Sequence, residues 1–165
     1  MDKLMRLFQS VARHSDLATC LWVLTNLPVE QQALLDKLEK IFEEQVVQFL
    51  ASSVYQLREQ SLMALRNYLG YGGKVPESTL SELRNLMNKF KDVNLIQLAL
   101  RCLEQSLEQG DRMEIEGTIE RNPFWEEWEQ LGGVKVLRKL LMSPSDEVLH
   151  LASEILKKYG VLSEK

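Results

Sequence analysis

Trp22 and Asn26 stand four residues apart in LWVLTNLP, residues 21–28. Four residues is about one helical turn, so on a helix the two side chains lie one above the other. An asparagine amide carries both donor and acceptor and can pair with a peptide backbone. Together Trp22 and Asn26 could make a flat apolar wall with an amide at its edge, and a row of such amides at repeat spacing could pair with the backbone of an extended peptide. The plain alternative is a boundary tryptophan and a solvated amide, since boundary tryptophans are common. Recurrence weighs for the first reading: Asn67 follows Met63 by four residues, and Gln105 follows Arg101 by four.

Other chemistries find little to work with. His14 and His150 are the only histidines, and no Cys/His/carboxylate spacing around them suits a metal. His150 and Glu154 read as an i,i+4 helix pair. The chain has no GxSxG, P-loop or CxxC pattern. Glu126 and Glu127 are adjacent, hence on different helix faces, and read as solvated. No enzyme, cofactor or metal is expected. In NPFWEEWEQLGG, Phe124 and Trp128 either pack a short helix onto the last unit or, with Trp125 and the glutamates, form an exposed aromatic-acidic patch. LLDKLEKIF, residues 34–42, has the spacing of a leucine-rich export signal, which any amphipathic helix also shows.

The elements that must position these residues are helices. Leu17, Leu21, Leu24 and Leu27 recur as a buried stripe, with Ser15 as a candidate cap and Pro28 as a stop. Residues 3–9 suggest a short amphipathic helix with no partner upstream, as in a trimmed or naturally short chain. Residues 29–52 read as helical, with a break near 43 that no breaker residue marks. YQLREQSLMALRNYL stops at Gly70–Gly73, LSELRNLMNKF follows, and VNLIQLALRCLEQSLEQ is expected to end at Gly110. Asn122-Pro123 and Gly132-Gly133 read as turns. VKVLRKLLM, a capping signal in SPSDE, and EVLHLASEILKKY closed by Gly160 complete the chain.

The totals agree with an all-α protein. The 165 residues are 45% hydrophobic, enough for one domain with a real core. Net charge is −4 and the pI is near 5.3, which disfavours a phosphate backbone and suits basic protein partners. Cys20 and Cys102 lie inside helical patterns and read as small buried thiols of a reducing compartment. No apolar run suits a membrane span or a signal peptide, so a soluble, intracellular protein is expected.

Laid over one another, the long helices repeat. Each carries a small residue two places before the Trp22 position: Cys20, Ser61, Ala99 and Ala152, spaced by 41, 38 and 53 residues. The first two spacings fit helical units of roughly 40–47 residues, and an insertion at 111–124 accounts for the third. A small residue at a fixed position lets stacked helices approach closely. Beside the core, the stripes read Ala18, Trp22, Thr25, Asn26; Glu59, Met63, Arg66, Asn67; Gln97, Arg101, Glu104, Gln105; and His150, Glu154, Lys157, Lys158.

On CLWVLTNL, SLMALRNYLGYGG, ALRCLEQSLEQGD and LGGVKVLRKLLMSPSDEVLHLASEILKKYG, the chain resembles the armadillo repeats of the importin-α family, from about the seventh to the tenth. The resemblance covers nearly the whole chain and rests on the order of these motifs rather than on any one. It implies an armadillo-like right-handed superhelical solenoid of about four helical repeats. That is a single domain over 1–165, with units near 1–27, 28–73, 74–110 and 111–160. It implies recognition of basic nuclear localisation signals and contact with an export receptor, in cytoplasm and nucleus, without nucleic acid or membrane. The implied peptide-binding residues are Trp22, Thr25, Asn26, Glu59, Met63, Asn67, Arg101, Glu104 and Gln105. The sequence departs from the family at Met63, where a second tryptophan is expected. It departs again at Arg101, whose charge would repel a basic peptide. An interaction scaffold that keeps the fold, has lost signal binding and uses its C-terminal or convex surface is therefore the alternative.

Overall fold

A computed structural model of the chain describes residue 6 and residues 14–26, 32–117 and 120–162. Among these residues there are eight α-helices and no strand: α1 (His14–Thr25), α2 (Gln32–Ile41), α3 (Tyr55–Gly70), α4 (Thr79–Lys89), α5 (Val93–Ile115), α6 (Pro123–Gln130), α7 (Gly133–Leu140) and α8 (Asp146–Lys158). The all-α expectation therefore holds. The helix expected at 3–9 lies outside the described residues apart from Arg6, which is helical. Leu27 and Pro28 also lie outside them. The chain divides into two compact units, residues 1–82 and 83–165.

In the first unit, α1 packs along α3. Leu17, Leu21 and Leu24 of α1 are buried, as their spacing predicts, and so are Cys20 and Ser61, the small residues of the two helices. Burial, and secondarily the Asp16 carboxylate, push the Cys20 thiol up, which leaves it protonated and inert. The backbone is already helical at His14, so Ser15 lies inside α1 and not at its cap.

The expected break near residue 43 is a change of helical register. After α2 come a π turn over Phe42–Val46 and a 3₁₀ turn over Val47–Ala51. The buried doublets Ile41-Phe42 and Val46-Val47 are five residues apart. An α-helix would turn the second doublet away from the first; i→i+5 bonding brings both to the core. Leu35, Leu38, Ile41 and Phe42 are buried, so the side chains an export receptor would read in residues 34–42 belong to the core. Phe42 stacks on Tyr68 of α3, with centroids 4.1 Å apart. Gly73 packs against that Tyr68 ring where a Cβ would collide with it.

In the second unit, α5 packs against α8, α6 against α5, and α7 between α6 and α8 in sequence and contact. Ala99 and Ala152, the small residues of α5 and α8, are fully buried. Asp92 caps α5 by accepting from the Leu95 amide at 2.9 Å. Ser145 caps α8 through the Val148 amide, as SPSDE predicts. Helix α5 does not end at Gly110 but runs on to Ile115. A helical glycine costs about 1 kcal/mol against alanine. Here it makes room, since a Cβ at Gly110 would occupy the place of the Asn122 side chain.

Asn122-Pro123 is the cap and first residue of α6, the Asn Oδ1 accepting from the amides of Phe124 and Trp125. Trp128 is fully buried and Trp125 nearly so. The exposed aromatic-acidic patch is thereby ruled out. The aromatics pack the short helix, with Trp125, rather than Phe124, as the second buried ring. Gly133 lies so close to the Trp128 indole that any side chain there would collide with it.

Candidate functional site

Thr25, Asn26 and Asn67 come together where α1 ends beside the last turns of α3, whereas Glu59 and Met63 lie further back along α3. An α-helix leaves its last four carbonyls without partners in the helix. Three side chains meet carbonyls near this end, of which the Trp22 carbonyl also accepts from the Asn26 backbone amide at 3.2 Å, and Leu21 lies before the last four. The Thr25 hydroxyl donates to the Leu21 carbonyl at 3.1 Å, and the Asn26 amide donates to the Trp22 carbonyl at 2.8 Å. The Asn67 amide, from α3, donates to the Thr25 carbonyl. Asn67 is thus the clamp between the two helices, a role that its spacing to Met63 does not reveal.

Trp22 is 56% exposed on a helix whose leucines are buried. Asn26 is exposed too, so neither side chain faces the core. Ala18, placed beside them by the repeat, is instead a core residue at 2% exposure. Met63 and Asn67 are half-buried, Arg66 is exposed, and Glu59 accepts from the Tyr55 hydroxyl at 3.3 Å. One N–H of each asparagine amide is engaged by α1. Their Oδ1 atoms have no bonded partner among the described residues, so the pair offers acceptors to a ligand backbone more readily than donors.

Arg58 is a residue that the sequence reading does not single out. It is buried and donates to the Ser52 carbonyl at 2.6 Å, closing the end of the 3₁₀ turn, while its guanidinium lies 5.8 Å from the Tyr55 ring centroid. It acts on the fold rather than on a ligand.

Arg101, Glu104 and Gln105 lie on α5 in the second unit. Arg101 is held by two carboxylates, Glu104 at 3.1 Å and Glu147 of α8 at 3.9 Å. Gln97 donates to the other oxygen of Glu147 at 3.1 Å. The repulsion expected of Arg101 toward a basic peptide is therefore partly neutralised inside the protein, and the same pairing occupies Glu104. Among the described residues the buried Gln105 Oε1 has no hydrogen-bond partner.

Between α5 and α8 lies a cleft of about 720 Å³, lined by Glu104 and Leu107 on one side and by Glu154, Ile155 and Lys157–Tyr159 on the other. Its charges are also paired: Lys157 with Glu154 at 3.1 Å and Lys158 with Asp111 at 2.7 Å.

At the end of this cleft sits a polar network that sequence reasoning missed. The Tyr159 hydroxyl donates to Asp111, and Asn122 donates to Asp111 and to the Leu107 carbonyl. Trp125 stacks on the Tyr159 ring at 4.2 Å. Burial alone would raise the Asp111 carboxyl, but the hydrogen bonds from Lys158, Asn122 and Tyr159 outweigh it and hold the carboxyl below its usual value. Burial first, and then the Asp111 carboxylate, push the Tyr159 hydroxyl up. The signal available in the sequence is the Asn-Pro pair, which reads as a cap as readily as a turn. The network locks α5, α6 and the end of α8 together.

Among the described residues, no three His, Cys, Asp or Glu side chains are grouped to hold a metal, and no helix is long and apolar enough to cross a membrane. No protein-family model matches the chain, and no curated protein matches it in sequence.

Proposed function

We propose that this chain is a protein-binding helical module of the armadillo type, in which the Trp22 face takes a short basic segment of a protein partner. The observation that carries this reading is the exposure of Trp22 on a helix that otherwise buries its large leucines and has its last turn closed by Thr25, Asn26 and Asn67. A rigid, exposed indole is a platform for the stem and charge of Lys or Arg. The Oδ1 atoms of Asn26 and Asn67 would accept from the backbone of the same segment. The resemblance to importin-α repeats supports a nuclear localisation signal as that segment, an adaptor role between cytoplasm and nucleus, and a solenoid arrangement of the repeats. Calorimetric titration with one lysine-rich peptide, against wild type and Trp22→Ala, tests it. Heat of binding that disappears in the variant supports the reading, and equal binding by both proteins rejects it.

The alternative is an armadillo scaffold that has lost signal binding and meets another protein through a different surface. Two observations favour it. One N–H of each asparagine amide is taken up by α1, and Arg101 with Glu104 forms an internal pair where the family has a slot. Binding of a lysine-rich peptide that is abolished in the Trp22→Ala, Asn26→Ala double variant would decide against the scaffold, and no binding by wild type would decide for it.

A further inference from the structure

In the second unit Arg101 of α5 and Lys157 and Lys158 of α8 each have a carboxylate partner. The cations of α7 and those at the end of α4 do not. Lys135, Arg138 and Lys139 follow one another at helical spacing on α7, which contains no acidic residue, and all three are exposed. Lys139 reaches α4 by donating to Asn88 at 3.1 Å, which joins the exposed faces of the two helices. Lys89, next to Asn88, lies 5.2 Å from the Phe90 ring centroid, and Lys91 follows beyond the end of α4. Among the described residues none of these five cations has an ion-pair partner. Met142 lies in the turn that follows α7, its amide bonded to the Lys139 carbonyl at 3.0 Å, and is 86% exposed.

A chain of net charge −4 thus presents a patch of unpaired positive charge with an apolar tip. Like charges gathered without partners on one face repel one another, and an anionic occupant removes that repulsion while desolvating Met142. We propose that the α4–α7 face binds an acidic peptide segment of a partner protein, one with aspartates or glutamates for Lys135, Arg138 and Lys139 and an apolar side chain for Met142. The overall negative charge favours a short acidic peptide over nucleic acid, whose affinity depends on neutralising many phosphates at once. The exposed methionine gives an apolar anchor that a phosphate backbone has no use for. This face is distinct from the Trp22 face and takes the opposite charge, so it stands whether or not the basic-segment reading does.

The test uses the full chain and fluorescence anisotropy. The probe is a labelled peptide of about twelve residues built from Glu, Asp and Leu. A single-stranded DNA oligonucleotide and vesicles with phosphatidylserine serve as parallel arms. Wild type should bind the peptide, more weakly as salt rises. Each exposed ion pair is individually modest, so the Arg138→Glu, Lys139→Glu double variant, which turns two attractions into repulsions, should weaken binding about tenfold. Lys37→Glu, Lys40→Glu makes the same change in net charge on the first unit and should change binding less than about twofold, a difference that net charge alone cannot produce. Met142→Ala should weaken binding without altering its salt dependence. Equal circular dichroism of all variants shows that the fold is kept. No binding by wild type, equal loss in both charge variants, or tighter binding of the oligonucleotide or the vesicles than of the peptide would overturn the assignment.

Discussion

Asn67 shows how a single side chain divides between fold and function. Its amide reaches the Thr25 carbonyl from another helix, and a carbonyl at a helix end that loses its partner is costly if water cannot replace it. Asn67→Ala should therefore destabilise the first unit by about 1 kcal/mol, read as a lower midpoint in urea. Asn26→Ala should cost less, because its bond to the Trp22 carbonyl is exposed and water can take it over. Equal midpoints for Asn67→Ala and wild type would remove the clamp role. Asp111 gives a second residue-scale expectation. Its carboxyl is held below the ordinary 3.8 by Lys158, Asn122 and Tyr159, against the opposing effect of burial. The folded state then binds the proton more weakly than the unfolded chain. The stabilisation is present above about pH 4 and is lost as the pH falls through the lowered folded value. Asp111→Asn should melt below wild type at pH 7, and the gap should narrow on acidification toward pH 3. A gap that is constant with pH would show that the carboxylate charge is immaterial.

At the scale of elements, the helices were legible because leucines recur at 3.6-residue spacing, and the cap of α8 because Ser145 stands just before such a run. The sequence reading does not single out the Asp92 cap of α5, and it names Ser15 as a cap that Ser15 does not make. The π turn was legible only as a break, since its cause, two apolar doublets five residues apart, becomes evident once both are seen to be buried. The end of α5 was misread because a glycine signals a stop or a close approach equally well, and only Asn122, twelve residues on, decides between them. In the same way the exposure of Trp22 followed from its place beside the leucine stripe. The engagement of the Asn67 donor did not, because it depends on which carbonyl another helix brings near. Gly110→Ala tests this reading of α5. Helix propensity alone predicts a gain of about 1 kcal/mol. Collision with Asn122 and loss of the Asp111 network predict a net cost of about 1–3 kcal/mol, as for overpacked cores. A higher thermal midpoint in the variant would contradict the close-approach account.

At the scale of the whole molecule, the protein is all helical, with an exposed indole at the end of α1 in its first unit and an α5–α8 cleft of paired charges in its second. Placing the basic segment at Trp22 sets a bound on its affinity. On the proposed reading as an armadillo module of the importin-α type, Met63 stands where a second tryptophan is expected, and a lost cation–π contact is worth roughly 0.5–2 kcal/mol. The measurement that tests the central claim most directly is calorimetric titration of one lysine-rich peptide into wild type, Trp22→Ala and Met63→Trp. Binding by wild type in the micromolar range, about −8 kcal/mol at 1 µM, with loss in Trp22→Ala and a gain in Met63→Trp, is the expected result. Nanomolar binding by wild type, or the same affinity in all three proteins, would contradict a basic-segment site on the Trp22 face.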